Sequence, residues 1–264
     1  ENMITPQEYY INRLYPLQDG IIGIITKLNT PFYLTGGTAL SRCYFQHRYS
    51  DDLDFVFIHA KNEQHALEKV IGIIRYYKDH HHFNSPDFQV LSPMYRGAAG
   101  IDNLNERIQE TFNSNPPVLK KEHREFKKDD KVMQLKNNYE KEIFNGEQGI
   151  IDSYDSDKKL LKVNVDGNIV EYGMNDLDEL TLSYAVSVHK SQGSEYDMMV
   201  LVLLPSHSIM LNRELFYTAV TRARNKLFLI SDPNTFRRAI ANSTPSERKT
   251  LLPRRLQDEF SEKM

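Results

Sequence analysis

The 264 residues make one large domain or two smaller ones, and a hydrophobic share of 40% is enough for packed cores. A formal net charge of −3 and a pI near 6.3 exclude a global basic field of the histone-like kind, so any nucleic-acid contact must be local. A single cysteine, Cys43, excludes an internal disulfide, no Cys/His cluster has zinc spacing, and no apolar run reaches the roughly 18 residues of a membrane span, so a cytoplasmic protein without membrane contact is expected.

The positive charge is concentrated late in the chain: residues 181–264 carry 12 Lys/Arg against 8 Asp/Glu, whereas residues 56–180 carry 17 against 22. At the start, residues 6–28 have apolar positions at helical spacing (Tyr10, Leu14, Leu17, Ile21, Ile24), interrupted near Asp19-Gly20. Pro31 to Thr35 reads as a short strand ending in Gly36-Gly37, and Thr38 caps a helix through Ala39, Leu40 and Tyr44. The next strand, Asp51-Asp52-Leu53-Asp54-Phe55-Val56-Phe57-Ile58, places Asp52 and Asp54 on one face by alternation.

Two glycines, a helix and Asp-x-Asp on the following strand resemble the opening of the nucleotidyltransferase fold. The stretches Tyr33 to Leu40 and Ser50 to Phe55 are similar to AbiEii-type toxins. The resemblance implies an α+β fragment over residues 1–55. In it Gly36 and Gly37 let the backbone approach a triphosphate, and Asp52 and Asp54 hold Mg2+ as the metal site. Asp87 is the one nearby candidate for a third carboxylate, and the pattern is left at about Phe55.

From Val56 the pattern is a strand, a helix with Ala66, Val70, Ile73 and Ile74, and then Phe88-Gln89-Val90-Leu91 running into Ser92-Pro93-Met94-Tyr95-Arg96-Gly97. The triple His80-His81-His82 reads as a solvated loop. A helix through Leu104, Ile108 and Phe112 is stopped by Asn115-Pro116-Pro117. The charged run from Lys120 to Lys131 also reads as a solvated loop. Beyond it, Val132–Leu135, Gln148–Tyr154, Leu160–Val165 and Ile169–Tyr172 alternate, with turns at Asn145-Gly146 and Asp166-Gly167-Asn168. This predicts a small antiparallel β-barrel inserted between α/β units, in which Tyr139, Phe144 and Tyr154 either pack a core or stack on bases.

The last block is Tyr184 to Asp197 with Ser191-Gln192-Gly193 in its turn, the apolar run Met198 to Leu204, and Leu215-Phe216-Tyr217-Thr218-Ala219-Val220-Thr221-Arg222-Ala223-Arg224. Helical spacing of Leu215, Phe216, Ala219, Val220 and Ala223 predicts a helix carrying Arg222 off its buried stripe. The block resembles motifs V and VI of superfamily-one DNA helicases of the RecD/TraA type, over about residues 56–258.

That resemblance implies a RecA-like parallel-sheet α/β domain formed by 56–118 and 181–258, the β-barrel at 119–180, and a tail at 259–264. It implies that Arg222, with Arg96 in the motif IV position, acts on the transferring phosphoryl group as an arginine finger. It implies that Gln192, Gly193 and Glu195 lie near the nucleotide, that His189, Lys190 and Ser191 lie near DNA, and that the barrel faces single-stranded DNA. ATP and Mg2+ are the implied cofactors of the full helicase, with 5′ to 3′ movement. The chain has no Gly-x-x-x-x-Gly-Lys-Ser/Thr segment, so a P-loop-containing domain or subunit is an expected partner and ATP hydrolysis by this chain alone is not expected. Two alternatives stand beside this reading: a metal-dependent nucleotidyltransferase and a non-catalytic DNA-binding module.

Overall fold

The computed structural model describes residues 54–81, 84–121 and 124–242. The expected N-terminal helices, the strand at Pro31, and Gly36, Gly37 and Asp52 lie outside these residues.

The first strand, β1 (Asp54–His59), is followed by α1 (Glu63–His80), β2 (Phe88–Leu91) and α2 (Ile101–Phe112). After an insertion the same layers resume with β10 (Ala185–Val186), β11 (Tyr196–Leu203), α3 (Arg213–Val220), β12 (Ala223–Ser231) and α4 (Pro233–Ala241). These strands form one parallel sheet in the order β1-β12-β11-β2-β10. β1 pairs residue by residue with β12, from Asp54 with Lys226 to His59 with Ser231. Residues 54 and 55, expected to close the N-terminal fragment, therefore sit in a strand of this sheet.

Alternation along β11 divides the interior into two layers. Met198, Val200 and Val202 face α1 and α2 together with Phe88, Val90 and Ile230. Met199, Leu201 and Leu203 face the other way with Leu227 and Leu229, against Phe216 of α3 and Phe236 of α4. A strand buried on both faces reads as a continuous apolar run, which is why Met198 to Leu204 carries no polar residue. The α1 helix begins where the Asn62 side chain accepts from His65 N at 2.8 Å, and it buries Ala66, Leu67, Val70 and Ile74 on one stripe. His80 is its last residue, so the histidine triple begins inside a helix rather than in a loop.

The insertion holds β3 (Pro117–Lys121), β4 (Arg124–Lys127), β5 (Lys131–Gln134), β6 (Gln148–Asp155), β7 (Leu160–Val165), β8 (Asn168–Tyr172) and β9 (Leu180–Leu182). Where a barrel was expected, the segment forms a five-stranded antiparallel sheet in the order β8-β7-β6-β5-β9, with the β3–β4 hairpin laid over its core through Leu119 and Phe126. Among the described residues, the charged run is largely strand and not a solvated loop. Alternation in the hairpin turns Phe126 inward while Lys120 and Glu125 pair on the outside, and Lys121 and Arg124 both reach Asp178, at 2.8 and 3.0 Å. Lys131 is fully enclosed at the start of β5.

Candidate nucleic-acid interface

Where the insertion meets the parallel sheet, Pro86 ahead of β2 and the first residues of β11 and β12 face β5 and β6 across a cleft of about 1060 Å³. One wall is the polypeptide leading into β11, with His189, Lys190, Gln192, Ser194 and Glu195. The other comes from the insertion, with Asn145, Gly146, Glu147 and Gln148.

The sequence folds this wall locally. After β10 the Ser187 hydroxyl accepts from Lys190 N at 3.3 Å and starts a single 3-10 turn, Val188–Ser191. Val188 anchors the turn in the core shared with α3, while His189 stands exposed. Gly193 then has φ +88°, a conformation side chains rarely adopt, and a Cβ there would meet nothing within 4 Å. Its glycine is required by backbone conformation, and the space around it is open. Lys190 Nζ donates across the cleft to Asn145 Oδ1 at 3.2 Å.

Ser191 departs from its expected place beside DNA. It is fully buried, its hydroxyl donates to Val188 O at 2.8 Å, and it does not line the cleft.

Arg222 also departs from expectation. The α3 helix ends at Val220 with Thr221 as its cap, so Arg222 sits in the turn before β12 and not on the helix. Its guanidinium folds back on this turn: Nη1 donates to Ser194 O at 3.2 Å, Nε to Thr218 O at 3.3 Å and Nη2 to Thr221 Oγ1 at 3.2 Å. Tyr196 N donates to Arg222 O at 2.8 Å, and Arg224 Nε pairs with Glu195 Oε2 at 3.0 Å. The turns ahead of β11 and β12 are thus cross-linked to each other. Arg96 is exposed beyond the opposite, C-terminal end of β2, so the structure does not bring it to Arg222. Its loop is held by Glu63, which accepts from Ala98 N at 2.9 Å.

Of the residues singled out in the sequence, the structure gathers His189, Lys190, Gln192 and Glu195 along one cleft. It adds Arg224, Asn145, Gln148 and Lys131, which the sequence reading missed. Arg224 was visible two residues beyond Arg222; nothing near Lys131 in the sequence distinguishes it from its charged neighbours. Among the aromatics, Tyr139 and Phe144 stand exposed and edge-on to each other with centroids 6.1 Å apart, while Tyr154 packs against the insertion's core.

Beneath the cleft lies a buried polar junction. Asp130 is wholly enclosed and accepts from Gln109 Nε2 at 2.6 Å, Asn113 Nδ2 at 2.7 Å, Lys127 N at 2.7 Å and Tyr184 OH at 2.9 Å. Burial raises its carboxyl above the usual range, and the four donors oppose that rise. Burial likewise lowers Lys131 to about 7, against an upward pull from Asp87.

Asp54, the one member of the nucleotidyltransferase pattern among the described residues, is exposed on β1 and pairs with Lys226 Nζ at 3.2 Å. Among the described residues no three His, Cys, Asp or Glu side chains are arranged to hold a metal. Nor is any helix among them long and apolar enough to cross a membrane.

Comparison with known proteins adds two domain matches. Residues 104–165 match the ATP-dependent RecD-like DNA helicase SH3 domain, and residues 182–230 match the UvrD-like helicase C-terminal domain. The ATP-dependent RecD2 DNA helicase of Deinococcus radiodurans is 39% identical over 166 residues, covering 63% of this chain and 23% of that protein. The RecBCD enzyme subunit RecD of Mycolicibacterium smegmatis is 30% identical over 173 residues, covering 64% of this chain and 29% of that one. The chain therefore spans less than a third of the length of either relative. A crystal structure of Pif1 helicase from Bacteroides, in complex with ADP-AlF3 and ssDNA, aligns with a TM-score of 0.42 and 15% identity over 75% of this chain and 54% of that one.

Proposed function

We propose that this chain is the C-terminal portion of a RecD-type superfamily-one DNA helicase, and that its part in the motor is to hold single-stranded DNA in the cleft between its two sheets. The observation that carries the reading is the cleft itself. Its walls come from the two segments that match helicase domains, and His189, Lys190 and Gln192 from one wall face Asn145 and Gln148 from the other. Lys190 and His189 supply phosphate contacts, and the side-chain amides of Asn145 and Gln148 supply neutral hydrogen bonds to sugar or base. The hairpin and the five-stranded sheet are read as one small SH3-type barrel forming the far wall.

Glu195 and Gln192 are assigned to the nucleotide side of the same turn. Arg222 is assigned to the transferring phosphoryl group. Its three present acceptors are neutral, so a phosphate oxygen would compete for the guanidinium with a stronger, charge-assisted bond. Arg96 is assigned to the nucleotide by resemblance alone. ATP and Mg2+ would be held jointly with a P-loop domain or subunit, since this chain contains no P-loop segment. The 5′ to 3′ polarity is likewise an inheritance from the family.

The test is fluorescence anisotropy with a labelled single-stranded oligonucleotide, alongside an ATP turnover assay on the same preparation. Salt-dependent binding that weakens in Lys190→Ala, with no turnover, is expected. ATP hydrolysis by the chain alone, abolished in Arg222→Ala, would contradict the proposed division of labour.

A further inference from the structure

The inserted sheet does not hang from the parallel sheet on two loose connections. Lys131, the first residue of β5, is 3% exposed, and its Nζ donates to Phe88 O at 2.9 Å and to Gln89 Oε1 at 3.0 Å. The same Gln89 oxygen accepts from Gln148 Nε2 at 3.1 Å, and Gln89 Nε2 donates to Ser183 O and Tyr184 O, each at 3.0 Å. β5, β6 and the return after β9 all converge on one buried amide at the start of β2. From there Lys131 Nζ also lies 5.1 Å from the centroid of the Tyr196 ring. Tyr196 follows Glu195 directly and opens β11.

We propose that Lys131 is a positioning residue through which the inserted sheet sets the Gln192–Glu195 turn, holding Tyr196 with its ammonium while anchored on the first residues of β2. Lys131 touches neither DNA nor nucleotide in this account. Only its consequence for binding rests on the single-strand reading above.

The two kinds of contact respond differently to the loss of a proton. A neutral amine keeps enough N–H groups for Phe88 O and Gln89 Oε1, but a ring face attracts the cation and not the amine. Burial brings Lys131 down to about 7, so the tie to Tyr196 loosens through neutral pH while the two hydrogen bonds persist. The titratable groups around it are Asp87 ahead of β2, Tyr196 on β11 and, on its own strand, Asp130, which is engaged with α2 and Tyr184. His189 and Glu195 lie further along the cleft.

The experiment is an NMR titration of the full chain from pH 6 to 9, following the Lys131 13Cε signal and the Glu195 and Tyr196 amides. A shared midpoint near 7 is expected, and it should vanish from both amides in Lys131→Met. Single-strand affinity of Lys131→Met should fall by about fivefold at pH 6 and match the wild type at pH 8.5. Lys131 titrating without the two amides, no Lys131 midpoint in this range, or an unchanged midpoint in Lys131→Met would each overturn the proposal. Should the variant not fold, the wild-type co-titration decides alone. A chain that binds no single strand would sink the functional reading and leave this titration decisive for Lys131.

Discussion

At the junction, Asp130 accepts four hydrogen bonds and Lys131 makes two, and both side chains are closed off from solvent. Along the cleft immediately above, His189, Gln192 and Glu195 stand exposed, and Lys190 donates across it to Asn145. The same residue types serve two purposes. The satisfied, enclosed set fixes one sheet against the other. The exposed set is left able to exchange water for a ligand. Buried polar groups contribute when every member has a partner and cost heavily when one is removed, whereas solvated ones contribute little to the fold.

That contrast can be broken most forcefully at Asp130. Asp130→Ala leaves the donors of Gln109, Asn113, Lys127 and Tyr184 without their acceptor, and it should cost about 3 kcal/mol or more in urea unfolding. A loss comparable to that of an exposed substitution would contradict the enclosure of the junction.

Lys131 sharpens the contrast through pH. Its folded value, about 7, lies below the ordinary 10.5, so between these values the unfolded chain binds the extra proton. The penalty is complete below about 7, fades as pH rises and is absent above 10.5, so this group makes wild-type stability climb across that interval. Lys131→Met, which replaces a buried cation by an apolar chain of similar length, should flatten the climb when unfolding is measured at several pH values.

Smaller effects belong to the cleft wall. Gly193→Ala should cost about 1 kcal/mol, from backbone strain at φ +88° and not from a clash, and should do so without altering the unfolding slope. Arg224→Ala breaks an exposed pair with Glu195 and should change stability by less than about 0.5 kcal/mol in the same assay.

Where local pattern and tertiary environment agreed, the fold was legible. The stripe of Ala66, Val70 and Ile74 predicted α1, and the run Met198 to Leu204 predicted a strand covered on both faces. Misreading arose where two periods overlap. Ala223 continues the helical spacing of Leu215, Phe216, Ala219 and Val220, yet it opens β12, because the residue starting a buried strand is as apolar as one ending a buried helix. Arg222 therefore looked like a helix residue and is a turn residue.

The charged run failed for a different reason. Lys120, Lys121 and Arg124 resemble Lys131 in sequence, and only partners far along the chain, Phe88 and Gln89, distinguish the enclosed lysine from those on the hairpin. Half of the cleft wall, from His189 to Glu195, was marked by its motif. The opposing half could not be, since Asn145 and Gln148 become neighbours of that motif only when the insertion folds back.

The central claim is that the cleft between the two sheets is the path of a single strand. The most direct measurement is photocrosslinking of an iodouracil-containing single-stranded oligonucleotide to the purified chain, with the attachment sites mapped by mass spectrometry. The account predicts adducts in the peptides holding His189 to Glu195 and Asn145 to Gln148, suppressed at high salt. Adducts confined to the Arg96 loop or to the outer faces of the helices, with both cleft walls unmodified, would contradict it.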